Sequence, residues 1–228
     1  MEESVKIAID IMGGDKSPDK NLEGINLFLK RNKNIKDVFV HIYGDEIQIK
    51  SKIGNFGYLK NNYKIHDTKI VVSDKLSALS TIKKGKNSSM WNSIQSQIDL
   101  STDVTLSAGN TGVLLVMSKM ILKTLEDVDK PALAGLWPNE INTNVVLDLG
   151  ANVECSEKNL IDFSEMGAAL FKSLFPNEKA KVALLNIGIE ETKGTELLRG
   201  SYSKLKELVK FGDFEFNGYI EGNQITKG

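Results

Sequence analysis

A chain of 228 residues, 41% hydrophobic and 26% charged, is long enough to bury a core in one domain or two joined lobes. Lysine plus arginine total 29 against 30 acidic residues, so no global field draws in nucleic acid or an anionic membrane, and steering must come from a local patch. One cysteine, Cys155, excludes an intrachain disulfide, and with only two histidines a structural zinc cluster is not expected.

The opening "MEESVKIAID" lacks the basic, apolar and small-residue layout of a secretory signal. The longest apolar run, "GVLLVMSKMIL", falls short of the roughly 20 residues needed to cross a bilayer. A cytoplasmic protein is expected. Val5–Ile11 reads as a strand, followed by a glycine-rich turn and a helix with Ser17 as N-cap and Pro18 first. "DVFVHIYGD" is a second strand, "DEIQIKSKI" a short helix, and "YKIH" a short strand inside a loop-rich segment. "KLSALSTIKKGKNSSMWNSIQSQI" reads as two helices divided by the basic turn Lys83 to Ser89. "VTLSAGNTGVLLVMSKMIL" passes from strand to turn to helix. "PALAGLWP" and "TNVVLDLGAN" read as strands, and "SEKNLIDFSEMGAALFKSLF" as a long helix. "AKVALLNIG" is another strand, "TELLRGSYSKLKELVK" a helix, and the tail "FEFNGYIEGNQITKG" begins as a strand.

Strands alternating with helices predict an α/β fold, with a mostly parallel sheet and helices on both faces, in a single domain over 1–228. The final strand has no helix after it, so the sequence is expected to be truncated.

Four strands end in related chemistry: "AIDIMGGD", "LSAGNTG", "VLDLGANVE" and "LLNIGIEETKG". In open parallel sheets the C-terminal strand ends line the crevice where ligands bind. Glycine allows close backbone approach, and helix N-termini offer unpaired N–H groups that suit phosphate. Four such turns along one predicted edge favour an oxyanion site over four plain turns. The chain has no G-x-x-x-x-G-K-[ST] loop; "MGGDKSP" is not the G-x-G-x-x-G fingerprint, and "GNTGV" is not the G-x-S-x-G elbow. His41 alternates within a strand and reads as a packing residue, while His66 stands at a strand end where a site residue is conceivable. Cys155 has no partner base apparent in the sequence. Lys83, Lys84 and Lys86 are either a solvated helix connection or a patch for a phosphate or acidic partner.

The segments "IAIDIMGGDKSP", "KNSSM", "LSAGNTGVLL", "KPALAG", "VVLDLGANVEC", "LLNIGIEETKG" and "GYIEG" occur in the order found in PlsX-type phosphate acyltransferases of bacterial phospholipid synthesis, and the chain resembles that family over nearly its whole length. The resemblance implies a fold similar to phosphotransacetylases and isocitrate dehydrogenases. It implies transfer of a fatty acyl group from acyl-acyl carrier protein to inorganic phosphate, with no cofactor and no metal. It also implies a homodimer at the membrane periphery that hands acyl phosphate to a membrane glycerol-phosphate acyltransferase. Family members continue beyond this length, and Trp137 stands where a smaller apolar residue is expected. A phosphotransacetylase-like use of acyl-coenzyme A is the enzymatic alternative; a non-catalytic binding fragment is the alternative from another class. An NAD-linked dehydrogenase lacks its fingerprint.

Phosphate is itself a competent nucleophile, so positioning rather than a covalent triad is the expected source of rate. Phosphate binding falls to Gly13, Gly14 and Asp15, to Ser107, Gly109, Asn110, Thr111 and Gly112, and to Ser88 and Ser89 at the next helix start. Asn152 or Asn186 would donate to the developing oxyanion. Asp10, Asp148 and Glu190 join Asp15 as candidate bases or orienting groups, one of them paired with Lys193; a turn cap is the plain alternative for Asp148. Lys83, Lys84 and Lys86 would dock the acidic carrier protein.

Overall fold

The structure, a computed structural model, describes residues 4–32, 38–59, 62–72, 84–209 and 213–227. The chain divides into two compact units, 1–123 and 124–228. In the first, β1 (Val5–Asp10), β2 (Val38–Gly44), β3 (Tyr63–Asp67) and β4 (Val104–Ser107) form one sheet in the order β3-β2-β1-β4. Every pairing in it is parallel. The helices are α1 (Asp19–Arg31), α2 (Glu46–Ile53), α3 (Ser89–Ile98) and α4 (Thr111–Leu122).

Alternation along the strands sets the two faces. Ile9, Val40 and Ile42 join Leu22 and Ile25 of α1 and Ile49 of α2 in one core. The opposite face carries Ala8 and Asp10 and is covered by α3, which touches β1, β2 and β4. Met90 and Ile94 of α3 pack there with Val113 and Met117 of α4. Helices on both faces explain why strands such as "VKIAID" and "VFVHIYG" are apolar with little polar interruption.

The sheet order has a consequence for ligand binding. The chain runs outward from β1 to β2 to β3, then returns to place β4 on the other side of β1. The strand order reverses between β1 and β4, the kind of switch point beside which open α/β sheets bind ligands at their C-terminal strand ends.

In the second unit, β5 (Gly135–Pro138) and β6 (Thr143–Val146) form an antiparallel hairpin. β7 (Lys181–Leu185) and β8 (Glu215–Ile220) pair in parallel, connected through helix α6 (Glu196–Leu208), which lies between them in the sequence. The long helix α5 (Glu157–Leu174) starts on a capping box made by Ser156 and Asn159. Ala168, Leu184, Leu205, Phe214 and Tyr219 form this unit's core. A 3-10 turn, Gly222–Gln224, follows β8.

Three local expectations change. Pro18, not Ser17, is the residue before α1; the Ser17 hydroxyl instead donates to the Met12 carbonyl at 2.7 Å and closes the preceding turn. The "TNVVLDLGAN" strand stops at Val146, because the Asp148 carboxylate gathers the following backbone into a loop. Of the two helices expected around the basic turn, α3 is present, and most of the first lies outside the described residues.

His41 and His66 meet across β2 and β3, Nδ1 to Nε2 at 3.0 Å, and His66 stacks on Tyr43 with ring centroids 4.4 Å apart. Burial, helped by the His41 and Lys64 charges, lowers the His66 pKa from 6.5 to about 4. The unfolded chain therefore binds this proton more readily than the folded one, so the stability is complete above pH 6.5 and is lost as pH falls through 4. Urea midpoints measured at pH 7, 5.5 and 4 should fall in that order. The slope should be below the about 1.4 kcal/mol per pH unit of one whole proton, because water screens this half-buried site. His66→Gln should flatten the fall.

Candidate active site

The site begins with Asp10, the last residue of β1, which is 2% exposed. Register places it directly beside Ser107, the last residue of β4. Ser107 Oγ donates to Asp10 Oδ2 at 2.7 Å and accepts from the Gly109 amide at 3.1 Å. Burial pushes the Asp10 carboxyl above its usual value, although the nearby Ser89 and Ser107 hydroxyls and the Met12 and Gly13 amides pull the other way. Among the described residues, Asp10 Oδ1 is buried with no hydrogen-bond partner.

The "MGGD" and "SAGNTG" turns touch. A Cβ on Gly13 would lie 2.6 Å from Asp10 Oδ2 and 2.8 Å from the Gly109 nitrogen, closer than side chains tolerate. Gly14 has φ +83° and sits against the Ala108 carbonyl. Only glycine fits both places. Asn21 of α1 fastens the same turn, its Nδ2 donating to the carbonyls of Ile11 and Gly13, both at 2.8 Å. Sequence reasoning passed over Asn21, whose position on the helix face toward the turn was its one signal.

Helix α4 starts at this junction. Asn110 is its N-cap, and its Oδ1 accepts from the Val113 amide at 3.0 Å. Thr111 and Gly112 are exposed at its first two positions, where an α-helix has no internal acceptor for the amide. Those two N–H groups and the helix dipole point outward beside the Gly13–Gly14 turn.

The remaining phosphate candidates separate. Ser88 is buried and caps α3 by accepting from the Trp91 amide at 3.1 Å, so its oxygen serves the fold. Ser89 is buried against Asp10. The Gly109 amide is held by Ser107, which removes it from the set of available donors. Asp15 is exposed beyond the turn. Lys84 and Lys86 are exposed just before α3, while Lys83 lies outside the described residues.

The other two turns belong to the second unit, and the four strand ends do not share one sheet: β6 lies in a hairpin and β7 in a separate two-stranded sheet. Asp148 accepts from the Leu133 amide at 2.8 Å through Oδ1 and, through Oδ2, from the Asn152 amide at 2.7 Å and side chain at 3.0 Å. Burial pushes its carboxyl up, but these bonds outweigh that and hold it below the usual range. Asn152 Nδ2 also donates to the Pro131 carbonyl at 2.9 Å. Both its hydrogens are thus engaged inside the loop, which leaves none for an oxyanion.

Asn186 differs. It directly follows β7 and is 7% exposed; its Oδ1 accepts from the Ile187 amide at 2.9 Å, and its Nδ2 is buried with no partner among the described residues. Gly194, at φ +86°, lies against it so closely that a Cβ would stand 2.5 Å from Oδ1. Glu190 and Lys193 are exposed and flank Gly188, joined through backbone by the Lys193 amide and the Glu190 carbonyl at 2.9 Å. The ion pair seen in this loop is instead Glu191 with Lys206 at 3.1 Å, and Tyr202 donates to the same carboxylate at 2.7 Å.

Cys155 is half-buried and unpaired. Among the described residues no group of three or more His, Cys, Asp or Glu side chains forms a metal site, and no helix is long and apolar enough to cross a membrane.

The model of the "Fatty acid synthesis protein" family matches residues 5–228. The chain belongs to that family. It is 52% identical over 228 residues to a phosphate acyltransferase of Pelagibacter ubique (strain HTCC1062), covering all of this chain and 67% of the relative. A phosphate acyltransferase of Agrobacterium fabrum (strain C58 / ATCC 33970) is 36% identical over 225 residues, covering 98% and 63%. The chain thus spans about two thirds of the length of the curated relatives it matches. Among solved structures, it is similar to the EutD phosphotransacetylase from Staphylococcus aureus, with TM-score 0.67 at 14% identity, over 96% of this chain and 69% of the other. That likeness establishes the α/β fold expected of this family member.

Gly13→Ala tests the junction between the turns. The added methyl has backbone on one side and the Asp10 carboxyl on the other, so the variant should lose about 1–3 kcal/mol, read from urea unfolding. Gly54→Ala, where nothing lies within 4 Å, is the control and should change stability far less.

Proposed function

We propose that this chain carries the phosphate-binding part of an acyltransferase that moves a fatty acyl group from acyl-acyl carrier protein to inorganic phosphate, giving acyl phosphate for phospholipid synthesis. The observation that supports it best is the meeting of two turns at the β1/β4 switch point. There, two glycine turns meet over a buried Asp10–Ser107 pair, and the first amides of α4 face out. Membership in the family and the names of the relatives fit the same chemistry.

The roles follow from the contacts. The Thr111 and Gly112 amides, the Thr111 hydroxyl and the Asn110 Nδ2 group bind phosphate at the positive end of α4. Gly13 and Gly14 let the anion approach the main chain. Asp10 and Ser107 are positioning residues: they fix the two turns and leave the charge of phosphate to the amides. A phosphate oxygen attacks the thioester carbonyl, the carbonyl oxygen takes up negative charge, and its collapse expels the carrier's thiolate. Holding the nucleophile in line supplies up to ~7–11 kcal/mol of the barrier in favourable cases. Asn186 in the second unit keeps a buried amide nitrogen without a partner among the described residues, the donor capacity that an oxyanion would need. Lys84 and Lys86 give the acidic carrier a basic landing point. A homodimer at the membrane periphery, passing acyl phosphate to a membrane glycerol-phosphate acyltransferase, completes the reading. The phosphotransacetylase among the fold's neighbours makes acyl-coenzyme A the second donor to assay.

Incubating the protein with phosphate and palmitoyl-acyl carrier protein or palmitoyl-coenzyme A, then detecting acyl phosphate by mass, decides the matter. Product from the carrier thioester at the greater kcat/KM is expected; none from either donor, in this chain and in its full-length form, ends the proposal. Thr111→Pro removes one amide at a helix position where proline is well accepted. It should raise the KM for phosphate on the order of tenfold, the worth of one hydrogen bond to a charged group, with little change in Tm. Thr111→Ala separates the hydroxyl from the amide and should have the smaller effect. Lys84→Glu with Lys86→Glu should slow carrier association severalfold at low salt and leave the phosphate KM unchanged, measured by stopped-flow and steady-state kinetics.

A further inference from the structure

The carbonyls of the "MGGD" turn are taken one after another by side chains from outside it. Asn21, in the first turn of α1, donates through Nδ2 to the Ile11 and Gly13 carbonyls, both at 2.8 Å, which spends both amide hydrogens. Ser17 Oγ donates to the Met12 carbonyl between them at 2.7 Å. Ile11 and Met12 are buried, so their carbonyls need partners. Gly13 is only half-buried, and water could serve its carbonyl as well. What water would not do is fix the direction of that peptide.

Direction decides what the turn shows to a ligand. The peptides from Ile11 to Gly14 are trans, with C=O and N–H on opposite sides of a plane, so each held carbonyl aims the next amide away from its holder. The first two amides aimed in this way, Met12 and Gly13, lie near enough to the Asp10 carboxyl to favour its charged form. The row thus already faces one anionic group, the protein's own. The next amide, Gly14, belongs to the peptide whose carbonyl Asn21 holds, and Gly14 sits against Ala108, where the second turn meets the first. We propose that Asn21 and Ser17 are positioning residues for phosphate: they draw the carbonyls of Ile11, Met12 and Gly13 to themselves and so aim the Gly14 amide as a further donor to the anion. The proposal rests on the phosphate site placed at these turns above. Successive backbone amides turned to one side make an anion-binding concavity. A Gly13–Gly14 peptide free to rotate would set a carbonyl oxygen against the anion instead.

The test titrates isotope-labelled protein with inorganic phosphate and follows the amide resonances by NMR. In wild type, Gly14, Thr111 and Gly112 should shift together with a shared Kd. Asn21→Asp keeps the side-chain shape but sets carboxylate oxygens against the two carbonyls. In that variant the Gly14 shift should be lost and the Kd should rise about tenfold, the worth of a hydrogen bond to a charged group. Ser17→Ala should raise the Kd severalfold, and Ser17→Thr, which keeps the hydroxyl, should restore most of that loss. Urea unfolding reports each variant's stability separately: a purely structural role would lower stability and leave the phosphate Kd of the folded protein unchanged. That result, or a Gly14 amide that stays still while Thr111 and Gly112 shift, overturns the inference and leaves the phosphate site intact. No shift at any of these amides removes the phosphate site itself, and the inference with it.

Discussion

One hydrogen bond, Ser107 Oγ to Asp10 Oδ2, holds the first unit's chemistry in place. It joins the ends of two neighbouring strands and fixes the serine so that its oxygen receives the Gly109 amide. That in turn sets where α4 begins. A buried carboxyl is costly, and a carboxyl oxygen without a partner more so. The fold keeps this one at the switch point, where it orders the polar turns at the end of a strand whose other face is apolar.

The strand and helix pattern was legible because each element obeys a simple period. "VKIAID" and "VFVHIYG" are apolar with little polar interruption, and the α1 stripe Leu22, Ile25, Leu29 follows helical spacing. The glycine turns were legible as ligand chemistry, and sheet order brings two of them together. What the sequence did not reveal is which hydrogen bonds each polar side chain spends on its own backbone. Ser88, Asn110, Asp148 and Asn152 all have the residue types of a site, yet caps and loop struts consume some or all of their capacity. Spacing cannot separate a donor aimed at a ligand from one aimed at the next turn. The grouping of four strand ends on one edge failed for a related reason: antiparallel pairing of β5 with β6 depends on partners that no local period encodes.

Asn186 and Asn152 illustrate the distinction. Both follow a strand in nearly the same local sequence type. One has its amide hydrogens shared between Pro131 and Asp148, and the other has a buried nitrogen with no acceptor among the described residues. An unfilled donor in a buried place is a cost that ligand binding can offset, whereas a satisfied one adds nothing further on binding.

The parallel order of the first sheet also has a bearing on synthesis. β1 is an inner strand, and its β4 neighbour leaves the ribosome 97 residues after it. At ordinary translation rates of ~5–20 residues per second, that delay is roughly 5–20 s. Throughout it one flank of β1 has no ladder partner, and the hydrophobic side chains near it stay wet. The polar centre of a chain built this way comes together only when translation has passed the fourth strand.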